Sequence, residues 1–214
     1  MKLYGYWRSS SAWRVRIALA LKGVAYENVP VHLVRGGGEQ FHPEFAAFSP
    51  LSQVPVLEFE QGGKLERLTQ SVAIVEYLDE TIPEPPIMPR TPLERARCRE
   101  LVELVNSGIQ PLQNRHLLER VAQGGIDSRS FAQEFIARGL SALEAHVRAS
   151  ARDTLLGSTL TLADIYLVPQ MYNARRFAVA LEAFPTLVRI DAGLASHPAF
   201  AAAHPDRQPD AEAT

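Results

Sequence analysis

Five prolines between residues 82 and 92, in Ile82-Pro83-Glu84-Pro85-Pro86-Ile87-Met88-Pro89-Arg90-Thr91-Pro92, divide this chain more sharply than any other feature. Each proline removes a backbone donor and disfavours helix in the residue before it, so no helix or central strand can cross the stretch. It reads as an extended connector. We therefore expect one domain over residues 1–81, a linker over 82–92 and a second domain over 93–214. The 214 residues are enough to bury ordinary cores on both sides without disulfides or metals.

Before the connector the hydrophobic period changes repeatedly. Lys2 to Tyr6 reads as a strand, and Trp13 to Lys22 has apolar residues at helical spacing until Gly23. Tyr26 to Leu33 is a second strand, followed by three glycines at 36–38 and a short segment, Pro43 to Phe48, that favours neither period. Val56 to Glu60 and Lys64 to Leu68 flank Gln61-Gly62-Gly63, a hairpin signal. Ser71 to Glu80 closes the unit as a helix, with Val72, Val75, Leu78 and Ile82 on one stripe. The order is β-α-β-(α)-β-β-α.

After the connector only helical patterns stand out. Thr91-Pro92-Leu93-Glu94 is a capping box with proline at the first helical position, heading the stripe Leu93, Leu101, Leu104 and Val105. Pro111 should bend or end that helix. Phe131, Phe135, Leu140, Leu143 and Val147 mark another, and Thr161-Leu162-Ala163-Asp164 is a second capping box with Asp in the Glu place. The polar tail from His204 to Thr214 reads as irregular.

Charge narrows the function classes. Lys and Arg number 22 against 24 Asp and Glu, a net charge of −2 that would not gather polyanions, so nucleic acid is not expected as a ligand. No apolar run approaches the ~18 residues of a membrane span, and Met1 to Ser11 lacks the apolar core of a signal peptide. With a single cysteine, Cys98, unable to form an internal disulfide, we read a soluble, cytoplasmic protein in which Cys98 is a bystander. The six histidines show no metal-ligand spacing, and no metal is expected.

Three short motifs could carry chemistry. Trp7-Arg8-Ser9-Ser10-Ser11 lies where the first strand meets the first helix, and the amides of a helix start favour an anion. A thiol of pKa ~8.5 is ionised more readily at such a spot; the alternative is that the serines only cap the helix. Gln53-Val54-Pro55 is either a plain turn or a cis-proline that presents the Val54 backbone to a peptide-like ligand. Gln70-Ser71 begins a helix, as a simple N-cap or as a carboxylate site. Two helix starts and one strand edge together would suit a peptide carrying carboxylates at its ends, and glutathione has that shape. Tyr4 and Tyr6 read as packing residues.

The string Ser9 to Leu19, SSSAWRVRIAL, resembles the zeta class of the glutathione transferases, the family of maleylacetoacetate and maleylpyruvate isomerases. The similarity continues through Gln53-Val54-Pro55, Gln70 to Leu78, Gly108 to Asn114 and Ala163 to Gln170. It implies an α/β thioredoxin-like N-terminal domain, an all-α C-terminal domain, a homodimer and bound glutathione. It further implies that Ser9 and Ser10 lie at the sulfur, that Gln40 and Gln110 help hold the tripeptide, that Val54 offers its backbone, and that Gln70 and Ser71 receive the γ-glutamyl end. Arg8 and Arg176 are the candidates to bind a substrate carboxylate through a planar guanidinium, with Arg175 the weaker choice. The family places cysteine where this chain has Ser11, so chemistry that needs a protein thiol there is not expected.

The implied reaction is glutathione-dependent cis-trans isomerisation of maleylacetoacetate or maleylpyruvate by reversible thiolate addition. The alternatives are conjugation of glutathione to small electrophiles such as α-halo acids, and a glutathione-binding module without turnover.

Overall fold

The computed structural model describes residues 1–212 and divides into two compact units. The first comprises residues 1–86 together with the described residues from Pro198 onward, and the second spans Ile87–His197. This corrects the expected 93–214 extent of the second domain. Arg16 and Asp210, described below, give the physical reason: polar groups of the first unit bind the C-terminal segment.

In the first unit β1 (Lys2–Gly5) leads through a tight turn into α1 (Ser10–Leu21) and then β2 (Glu27–Pro30). Two 3-10 turns and the short helix α2 (Pro43–Ala46) precede the hairpin of β3 (Val56–Gln61) and β4 (Lys64–Thr69), after which α3 (Ser71–Thr81) follows at once. The sheet order is β2-β1-β3-β4. Because β1 and β2 are joined by a helix they pair parallel, whereas β3 lies antiparallel to both β1 and β4. Gly62 and Gly63 turn the hairpin at φ 59° and 75°, the left-handed pair that a two-residue turn requires.

Leu3 of β1 and Leu57 of β3 face each other across the sheet with no exposed surface. Val31, Phe45 and Val56 form a smaller apolar cluster to which Tyr4, Phe48 and Val54 add their sides. On α3 the buried residues are Ser71, Ile74, Val75 and Leu78, so Ile74 replaces the expected Val72 on the inner stripe. The C-terminal end of α1 is pinned by Lys22, whose ammonium lies 2.7 Å from Asp79 Oδ1 and 2.6 Å from the Pro85 carbonyl.

In the second unit α4 (Pro92–Asn106) begins on the Thr91–Glu94 capping box. It stops before Pro111, which sits instead in a 3-10 turn, Gln110–Gln113. Its inner face is Cys98, Leu101, Val102 and Val105, while Leu93 is 63% exposed and does not join the core. The helices α5 (Arg115–Gln123), α6 (Ser128–Val147), α7 (Leu162–Arg176) and α8 (Pro185–Ala195) complete the unit. Every residue from Leu162 to Met171 is buried, making α7 the central helix. On α6 the core residues are Ala132, Ile136, Leu140, Leu143 and Val147, and Phe131 and Phe135 flank them. The buried Glu144 carboxylate accepts from the Thr186 and Leu187 amides at 3.2 and 3.1 Å, capping α8 where its dipole favours negative charge.

The last helix, α9 (Pro198–Ala203), packs on α1 in the first unit. Among the described residues no helix is long and apolar enough to cross a membrane.

Candidate functional site

The turn Tyr6–Ser9, closed by the Ser9 amide on the Tyr6 carbonyl at 2.9 Å, delivers the chain from β1 into α1. Ser9 is the N-cap: its Oγ accepts from the Ala12 amide at 3.2 Å and its carbonyl from Trp13 at 2.9 Å. Ser10 is the first helical residue and is 5% exposed. The three serines therefore differ. Ser9 caps, Ser10 is enclosed, and Ser11 lines the neighbouring pocket.

That pocket is built by the first unit alone. Ser11 of α1, the loop Ser49–Pro55, and Thr69, Gln70 and Ser71 at the β4–α3 junction form its wall. The Val54–Pro55 peptide bond is cis. Among the described residues no hydrogen bond engages the Val54 backbone, while Ser49 staples the loop before it by donating to the Gln53 carbonyl at 2.8 Å and accepting from the Gln53 amide at 3.2 Å. Of the two sequence readings of Gln53-Val54-Pro55, the cis-proline is the one present.

Gln70 holds φ 68° and ψ 115° at the start of α3, a region that a residue with a Cβ occupies at a cost of about 1–3 kcal/mol. Its carbonyl accepts the first helical bond, from Ile74, but its side chain makes no capping bond. Ser71 is 5% exposed and its Oγ accepts from the fully buried Arg14 guanidinium at 3.4 Å. Sequence reasoning missed Arg14 as the support of this helix start; its place among the apolar residues of α1 was the available signal.

The other expected site residues lie as follows. Gln40 is 8% exposed on the 3-10 turn Glu39–Phe41, outside the pocket wall, and its Oε1 is a buried acceptor with no partner among the described residues. Arg8 is half-buried with its guanidinium 5.1 Å from the centroid of the Trp7 ring. Gln110 and Arg176 belong to the second unit. Gln110 begins the 3-10 turn and donates to Asn114 Oδ1 at 3.5 Å. Arg176 ends α7, exposed, and donates to Asn173 Oδ1 at 3.4 Å. Arg175 instead binds the buried Asp191 carboxylate at 2.6 Å, which accounts for it structurally.

Tyr4 is engaged with Phe45, Phe48 and Glu58, and Tyr6 with Trp7 and His32, so both serve packing. Cys98 is fully buried, and burial pushes its thiol up, away from reactivity.

Known proteins match this chain over nearly its whole length. The family model "Glutathione S-transferase, N-terminal domain" matches residues 1–80, and "Glutathione S-transferase, C-terminal domain" matches residues 129–198. Maleylacetoacetate isomerase of Pseudomonas aeruginosa is 45% identical over 216 residues, covering 100% of both chains. The solved maleylacetoacetate isomerase of Anaeromyxobacter dehalogenans, with glutathione bound in its active site, superposes with a TM-score of 0.90 at 54% identity, covering 99% of this chain and 97% of that one. A maleylpyruvate isomerase described as a bacterial zeta-class glutathione S-transferase gives a TM-score of 0.92 at 38% identity, covering 99% and 100%.

The chain belongs to the zeta-class glutathione transferases. Its first unit is the thioredoxin-like half of such a transferase, and its second the helical half. In this transferase, then, the expected α/β-plus-α architecture is the observed one.

Proposed function

We propose that the protein is a glutathione-dependent cis-trans isomerase of maleylacetoacetate or maleylpyruvate, serving aromatic catabolism. The observation that carries this reading is the pocket where Ser11, Val54, Pro55, Gln70 and Ser71 meet. Its residues fit a bound tripeptide. The unengaged Val54 backbone suits an extended peptide and the starts of α1 and α3 suit negative charge; outside the pocket wall, Gln40 Oε1 is a buried acceptor in need of a donor.

A double bond blocks cis-trans rotation, so a catalyst must make it transiently single. Glutathione supplies the thiolate that adds to the conjugated cis bond, allows rotation and leaves again, so it is not consumed. The chain's own groups set the conditions for this chemistry. Ser9 and Ser10, with the amides of α1, hold negative charge at the sulfur; a hydrogen bond to a charged group is worth about 1.5–3 kcal/mol. Gln70 and Ser71 take the γ-glutamyl end, with Arg14 fixing the Ser71 hydroxyl. Gln40 and Gln110 add polar contacts to the tripeptide. Arg8 and Arg176 pair with substrate carboxylates and orient the conjugated system. Nothing in this sequence of events requires a protein thiol, so Ser11 in the family's cysteine position is compatible with turnover.

The protein functions as a homodimer in the cytoplasm in this reading. In support, β4 is an edge strand whose Leu65 is 61% exposed, α4 carries Leu93 at 63% exposure, and the single cysteine is buried. Sedimentation of a species twice the 23.7 kDa chain mass checks the dimer.

Ultraviolet monitoring of both maleyl substrates, with and without glutathione, tests the activity. Isomerisation that requires glutathione while total free thiol stays constant is expected. Depletion of thiol in step with substrate loss would assign conjugation instead, and binding without either would leave only a binding module.

A further inference from the structure

The turn that carries Trp7 to Ser9 is gripped at its backbone by residues the reaction does not use. The Trp7 amide donates to Asp210 Oδ2 at 2.9 Å, and the other carboxylate oxygen of Asp210 accepts from Asn28 Nδ2 at 3.4 Å. Arg16, 2% exposed, spreads its guanidinium over three carbonyls: Trp7 at 2.8 Å, Tyr6 at 3.4 Å and Ala203 at 3.1 Å. Both polar groups of the Trp7 backbone, and the Tyr6 carbonyl that closes the turn onto Ser9, are thereby fixed. One side of the grip comes from α1. The other is the C-terminal segment, which is itself tied down by Glu212 on His32 and Arg35, each at 3.0 Å, and by Gln208 on the Ala202 and His204 carbonyls.

A packing role alone would be served by apolar contacts. Here a buried cation and a half-buried carboxylate converge on one four-residue turn, and a lone guanidinium there would be costly to bury. Burial lowers the Arg16 pKa to about 10, with Tyr26 and Asp210 opposing the fall, so the fork stays charged at neutral pH.

We propose that Asp210, acting with Arg16, is a positioning residue for the sulfur site: the C-terminal segment fixes the turn that sets Ser9 and Ser10 against the glutathione sulfur. The inference rests on the site reading given above. Preorganised donors lose much of their effect when displaced by about 1 Å, so loosening the turn weakens the hold on the thiolate before it weakens the fold.

The test compares wild type with Asp210→Ala and Asp210→Asn in the full-length protein. The pH titration of bound glutathione is read by thiolate absorbance, alongside kcat, KM for glutathione and the thermal melt. Asparagine keeps an acceptor oxygen for the Trp7 amide and alanine does not. Asp210→Ala is expected to raise the bound thiol's apparent pKa by about one pH unit, a ten-fold loss of thiolate near neutrality, and Asp210→Asn to restore most of it. Asn28→Ala, a milder release of the same carboxylate, should move the titration the same way by less, and it stands in if the alanine variant fails to fold. Wild-type titration in the two Asp210 variants, or no movement in Asn28→Ala where it stands in, overturns the proposal, as do equal shifts in alanine and asparagine. A wild-type protein that binds glutathione without ionising it overturns the site reading as well, and so separates the two failures.

Discussion

Replacing Asp164 should unlatch the start of α7, and the size of the effect follows from its contacts. The carboxylate has no exposed surface and accepts from the Leu155 amide at 2.8 Å, the Thr161 amide at 2.8 Å and Thr161 Oγ1 at 3.0 Å. Asp164→Ala leaves two buried amides unpartnered at about 1–3 kcal/mol each, a total of about 2–6 kcal/mol against the 5–15 of a typical protein. The same site gives a pH dependence. Burial raises the Asp164 pKa from 3.8 to about 6, against the pull of its hydrogen bonds. Between those values the folded chain holds a proton that the unfolded chain has released, so this residue's contribution to stability grows as pH falls from 7 toward 4, by up to about 3 kcal/mol. Asp164→Asn cannot titrate. Urea denaturation of wild type, Asp164→Ala and Asp164→Asn across that range is the assay. A loss below about 1 kcal/mol for alanine, or a difference between wild type and Asp164→Asn that does not change with pH, would refute the reasoning.

Other substitutions separate structural from chemical roles. Ser9→Ala removes the cap on α1 and should cost about 1 kcal/mol, or about 2–4 °C in Tm; Ser9→Asp should keep the melt but lose isomerase activity, because a carboxylate would repel the thiolate. Gly38→Ala would place a Cβ 2.5 Å from Gln40 Nε2 at a φ of 111°, displacing the Gln40 carboxamide, and calorimetry should show weaker glutathione binding with kcat little changed. Arg176→Ala should raise KM for the maleyl substrate and spare glutathione affinity. Arg175→Ala, which strips the guanidinium from the buried Asp191, should instead lower Tm and leave KM unchanged.

What could be read from the sequence was local. The capping boxes at Thr91 and Thr161 and the glycine pair at 62–63 each specify backbone geometry within a few residues, and all three appear as expected. Helix α5 is not among the expected elements: its nine residues carry only Leu117, Leu118, Val121 and Ala122 as apolar positions, too short a run to stand out, and it buries none of them. Leu93 stands outside the core for a related reason: periodicity identifies a face but not which apolar residues a neighbouring helix covers. At the site, the serine cluster announced a helix start, yet only coordinates distinguish Ser9 as cap from Ser11 in the pocket wall. The left-handed backbone of Gln70 has no sequence signature. Nor has the pairing of Trp7 with Asp210, which joins residues 203 positions apart and turns an unremarkable polar tail into part of the first unit.

The most direct test of the central claim is a crystal structure of the protein with glutathione. The account predicts the cysteinyl sulfur within hydrogen-bond reach of the Ser9 and Ser10 hydroxyls, the peptide paired with the Val54 backbone, and the γ-glutamyl carboxylate at Gln70 and Ser71. A tripeptide bound with its sulfur away from the start of α1 would contradict it.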